Sequence, residues 1–134
     1  MIKYFDHIGI AVANLEDALA TYKKAYGLEP ISIETYEEVE VTIAYIPLGA
    51  FQIHLLTPTE PGAGSFGKFL DEKGEGLHHI GLGVDNLERT AKALKQAQIP
   101  LRDGSLKVVR EGLRVALIEP AFTQNVITEL VERK

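Results

Sequence analysis

Three of the four histidines and one glutamate fall in a pattern that could hold a metal ion. Residues 7–16 lie over residues 79–88 at an offset of 72, with seven of ten positions identical, and this pairs His7 with His79. Further along, His54 in Gln52-Ile53-His54-Leu55-Leu56 aligns by pattern with Glu129 in Ile127-Thr128-Glu129-Leu130-Val131. That second offset is 75, so the second half carries an assumed three-residue insertion. Each half thus offers two candidate ligands, His7 with His54 and His79 with Glu129. Neutral imidazoles with a carboxylate suit zinc, iron(II), manganese, cobalt or nickel rather than calcium or magnesium. The chain has no cysteine, which removes thiolate ligands, disulfides and thiol nucleophiles. A lone histidine on a strand is ordinarily a satisfied polar residue or a surface one. What favours metal here is that the four occupy equivalent positions of two repeats. His78, the remaining histidine, is next to His79 and should face the other way.

The elements that must position these residues read alike in both copies. In the first, Ile8, Ile10 and Val12 alternate with His7, Gly9 and Ala11, the period of a strand with two unlike faces. Asn14 then stands at a helix N-cap, with Glu16 and Asp17 in the first turn; Leu15, Ala18, Leu19, Tyr22 and Tyr26 follow at helical spacing before Gly27. In the second copy Asn86 caps, Leu87, Ala91 and Leu94 mark the stripe, and Pro100 ends the segment. Strands are expected from Ile31 to Thr35, Val39 to Ile46 and Phe51 to Leu56, and again from Lys107 to Val109, Val115 to Ile118 and Val126 to Val131. Each module is therefore βαβββ, and the fold class is α+β. Module one covers about 1–58, a Pro/Gly-rich linker with a short helix covers 59–75, and module two covers about 76–134. Neither half is large enough to be expected to fold alone, so the two should form a single domain.

Composition narrows the function classes. The 134 residues are 46% hydrophobic and 25% charged, with a net charge of −5. This is the profile of a soluble globule, and the acidic balance argues against a nucleic-acid partner. With no apolar run of spanning length and no signal-peptide pattern at Met1-Ile2-Lys3-Tyr4-Phe5-Asp6, a cytoplasmic protein without a membrane partner is expected.

The paired modules and their ligand pattern resemble the vicinal oxygen chelate superfamily, which includes glyoxalase I, extradiol dioxygenases and fosfomycin and bleomycin resistance proteins. Within it, the chain is most similar to the methylmalonyl-CoA epimerases. The similarity is carried by residues 6–12, by Ile127-Thr128-Glu129-Leu130, and most specifically by the stretch from Lys68-Phe69-Leu70 through Lys73-Gly74-Glu75-Gly76-Leu77-His78-His79-Ile80. The resemblance implies curved mixed sheets around a metal cleft, a divalent metal held by His7, His79 and Glu129, and a fourth ligand at His54, where the family usually has Glu or Gln. It also implies an acyl-CoA substrate, a homodimer, and epimerisation by removal and return of an alpha proton between two bases. Glu129 matches one base. The position for the other falls on Thr42, which cannot serve, and Glu40, two residues away on the same expected strand face, is the substitute, with Glu38 beyond it. Asp6 and His78, each preceding a ligand histidine, are read as supporting residues. Lys107, Arg110, Arg102 and Arg114 are cations available to CoA phosphates, though ordinary solvated surface charge is the simpler reading of them. Other activities of the same fold are a glyoxalase I-type lyase, a non-haem iron dioxygenase using His7, His79 and Glu129 as its triad, and a non-catalytic small-molecule-binding resistance protein.

Overall fold

A computed structural model describes residues 1–134. The chain forms two compact units, one of Met1–His7 with His79–Lys134 and one of Ile8–His78. The first strand, β1 (Ile2–Ala11), and the fifth, β5 (Gly76–Val84), each contribute to both.

In the Ile8–His78 unit, β1 leads into helix α1 (Leu15–Tyr26). The helix starts where it does because the Asn14 side chain accepts from the Asp17 N–H at 2.9 Å. It stops at Gly27, whose left-handed φ of 71° lets its N–H return to the Lys23 carbonyl. Leu15, Ala18, Leu19 and Tyr22 pack one face of α1 on a core of Val12, Ala44, Ile46 and Leu55. Strand β3 (Val41–Leu48) pairs antiparallel with both β2 (Ser32–Tyr36) and β4 (Phe51–Pro58), with Tyr45 opposite His54, and the order is β2-β3-β4-β1. Helix α2 (Gly64–Lys73) follows.

One element departs from the alternation read in the sequence. Val39 and Glu40 are outside β3: Glu37–Val39 form a single 3-10 turn, and Glu40 closes it at a φ of 54°. The Glu40 N–H bonds the Glu37 carbonyl, and its own carbonyl accepts from Thr59. The 3-10 turn takes up the Glu40 N–H and its left-handed backbone breaks the strand geometry, so regular ladder pairing begins only at Val41.

The other unit repeats the plan. Asn86 accepts from the Arg89 N–H at 2.8 Å and starts α3 (Leu87–Gln96). Leu87 and Leu94 join Val84, Ala116, Ile118 and Leu130 in the core. The strand order is β1-β5-β8-β7-β6, with β6 at Lys107–Arg110, β7 at Leu113–Leu117 and β8 at Thr128–Arg133. The sheet is mixed, because β5 and β8 are parallel whereas β7 runs antiparallel to both β8 and β6. The parallel pairing sets Gly81 opposite Glu129. Strand β8 begins at Thr128 rather than Val126, because Gln124 and Asn125 adopt positive φ and the Val126 carbonyl is taken by the Thr123 hydroxyl. No helix is long and apolar enough to cross a membrane.

Candidate metal centre

Three neighbouring strands of one unit deliver the cluster: His7 from β1, His79 from β5 and Glu129 from β8. Their candidate ligand atoms all lie within 4.8 Å of one another. The two imidazoles, repeat mates in the sequence, meet edge to face with Nε2 atoms 3.0 Å apart. His7 Nε2 is 3.5 Å from Glu129 Oε1. His7 is 1% exposed, His79 is buried, and the Glu129 side chain keeps 23% of its surface open. Burial raises the Glu129 carboxyl above its ordinary range, against the pull of His7. A converging set of two imidazole nitrogens and one carboxylate, with no thiolate, fits a borderline divalent metal such as zinc, iron, cobalt, nickel or manganese.

The strands around His7 are shaped for it. A Cβ at Gly81 would stand 2.2 Å from His7 Cε1 and 2.3 Å from Nδ1, so only glycine lets the imidazole lie across β5. His7 Nδ1 lies 2.7 Å from Asp6 Oδ2, and Arg133 donates to both Asp6 oxygens. Burial would raise the Asp6 carboxyl, but the bonds from His7 and Arg133 outweigh it and hold the group far below the usual carboxylate range. Sequence reading missed Gly81 and Arg133. The available signals were the repeated His-Ile-Gly and the spacing of Arg133 four residues beyond Glu129 on one strand, which by alternation puts both on one face.

The other expected site residues are not members of this trio. His54 belongs to the Ile8–His78 unit, where its Nε2 is 2.8 Å from Gln52 Oε1 and its ring stands edge-on to Tyr45. Tyr45 in turn shares a 2.6 Å hydroxyl contact with Tyr36. Glu40 is exposed in its turn, with its side chain beside Gly64 at the start of α2, and so is not on a strand face as expected. His78 packs its ring on Phe66 and Phe69, and burial pushes its pKa down to about 4, so it is a neutral packing residue. Of the cations considered for phosphate, Arg114 is committed to Glu88 and to the buried Glu132, and Arg102 is paired with Glu119.

Comparison with known proteins shows the family. Residues 6–117 match the Glyoxalase/Bleomycin resistance protein/Dioxygenase superfamily, and the chain belongs to that superfamily. It is 35% identical over 129 residues to an uncharacterized protein of Bacillus subtilis, covering 96% of this chain and 91% of that one. It is 30% identical to the ethylmalonyl-CoA/methylmalonyl-CoA epimerase of Cereibacter sphaeroides, covering 97% and 98% of the two chains. A solved methylmalonyl-CoA epimerase in complex with methylmalonyl-CoA and NH4+ superposes with a TM-score of 0.89 at 30% identity, over 98% of this chain and 94% of that one.

Proposed function

We propose that this protein is a metal-dependent epimerase that acts on methylmalonyl-CoA or a similar acyl-CoA, with His7, His79 and Glu129 holding the metal. The observation that supports it most is the convergence of two buried imidazoles and a carboxylate within 4.8 Å, in a chain 30% identical to an acyl-CoA epimerase. A divalent cation supplies, when bound, positive charge to offset the negative charge that develops on a thioester oxygen as the alpha proton leaves. The residues do the rest. Glu129 has two carboxylate oxygens, one to ligate and one to take or return a proton.

Methylmalonyl-CoA incubated with metal-replete protein in heavy water should gain deuterium at the alpha carbon, faster than in protein-free buffer. In Glu129→Gln the exchange should slow by about 100-fold or more, the usual contribution of a positioned base. No exchange by the metal-replete wild type would sink the activity. Unchanged exchange by Glu129→Gln would remove Glu129 as the base.

A further inference from the structure

Asp6 and Arg133 take no part in the chemistry proposed above, yet two hydrogen bonds join them to each other and a third joins Asp6 to the innermost histidine. Arg133 Nε donates to Asp6 Oδ1 at 2.8 Å and Nη2 donates to Oδ2 at 3.0 Å. Such a two-point clamp fixes the plane of the carboxylate as well as its position. The same Oδ2 lies 2.7 Å from His7 Nδ1. With both oxygens already accepting from a guanidinium, Asp6 acts as an acceptor, so the hydrogen in the Asp6–His7 contact belongs to Nδ1.

A neutral imidazole carries one N–H. If Nδ1 holds it, Nε2 keeps its lone pair, and Nε2 is the atom that faces His79 Nε2 at 3.0 Å and Glu129 Oε1 at 3.5 Å. In the metal-free protein His79 must then donate across that 3.0 Å contact. Asp6 and Arg133 are held in place from two strands, β1 and β8, which also carry two of the three candidate ligands. Asp6 is buried whereas Arg133 is exposed, so the guanidinium neutralises a carboxylate placed where water does not reach it freely.

We propose that Arg133 and Asp6 are positioning residues: Arg133, through Asp6, locks His7 in its Nδ1–H tautomer and sets how tightly the His7–His79–Glu129 cluster binds a divalent cation. The affinity half of this rests on reading those three residues as metal ligands. The tautomer half does not.

The experiment uses the full chain, labelled with 15N-histidine and freed of metal by chelator. Long-range 1H–15N correlation should give the wild-type His7 ring the Nδ1–H signature. Asp6→Ala should lose it, and Asp6→Asn, which keeps an acceptor oxygen, should retain it in part. Zinc or cobalt(II) titrated against a competing chelator should bind about 10- to 100-fold more weakly to Asp6→Ala. Arg133→Ala should weaken binding in the same direction, and Arg133→Lys should restore part of the loss. Thermal midpoints of the metal-free variants separate this from general loosening of the fold. If Asp6→Ala does not fold, Asp6→Asn and Arg133→Lys carry the same measurements. An unchanged tautomer and an affinity within twofold of wild type, whatever the thermal midpoint does, would overturn the proposal. A wild-type protein that binds no divalent cation overturns the metal reading and the affinity half with it, and the tautomer spectrum then decides the role of Asp6 alone.

Discussion

Gly81→Ala should destroy the metal centre by adding one methyl group. The new Cβ would stand 2.2 to 2.8 Å from three atoms of the His7 ring. Carbon atoms pack at about 3.5 Å or more, so the overlap exceeds an ångström. His7 is 1% exposed and has no open side to move toward. Either β5 shifts, at the usual overpacking cost of about 1–3 kcal/mol, or the ring turns and forfeits its charge-assisted bond to Asp6, worth about 1.5–3 kcal/mol. The chain takes the cheaper route, so a loss of about 1–3 kcal/mol is expected, or roughly 3–12 °C in thermal midpoint for a domain of this size. Both routes pull His7 Nε2 from the cluster. The assay is thermal unfolding with and without zinc. Wild type should gain about 2.7 kcal/mol at a metal concentration 100 times its dissociation constant, and Gly81→Ala should gain almost none. Gly83→Ala is the control. Its Cβ would meet the Tyr4 ring at 2.2 Å, but Tyr4 is 43% exposed and can swing outward. That variant should keep its metal response. If Gly81→Ala retains the metal-induced shift and stays within 0.5 kcal/mol of wild type, the account of His7 lying across Gly81 is wrong.

Two further outcomes are expected. Glu132 is 1% exposed, accepts from the Leu87 N–H that opens α3, and pairs with Arg114. Burial would raise its carboxyl, but those bonds outweigh it and lower it below 4.5, so its stabilisation is complete above about pH 4.5 and is lost as pH falls through the folded value. Glu132→Gln should therefore cost about 1.5–3 kcal/mol in urea unfolding at pH 7 and progressively less toward pH 3; a pH-independent difference would contradict this. His54→Ala should leave one metal per chain by elemental analysis, since the converging trio does not include it, and a drop in stoichiometry would make His54 a fourth ligand.

Local signals in the sequence carried a long way. Asn14 and Asn86 could be named as caps because capping is decided within three residues, and both side chains accept as expected. His7 and His79 could be paired because duplication copied the position along with the residue, and their Nε2 atoms lie 3.0 Å apart. Strand alternation failed at Glu40 because a 3-10 turn of three exposed or half-buried residues leaves no periodic trace. The Asp6–Arg133 clamp was out of reach for another reason: its partners are 127 residues apart, and nothing in either neighbourhood names the other. Gly81 was visible only as part of a repeated motif. Its purpose depends on an imidazole from a different strand.

The division of the chain also orders events during synthesis. Residues 8–78 form one unit from continuous sequence, so all of its contacts are available once position 78 has been synthesised. The other unit joins the first seven residues to everything after position 78, and its parallel β5–β8 pair needs strand β8, which ends at Arg133. Contacts so distant along the chain form slowly. Until β8 emerges, His7 and His79 lack the carboxylate that completes their cluster, so a nascent chain has no finished site with which to capture metal. On the proposed reading, metal capture therefore waits for strand β8 to be made.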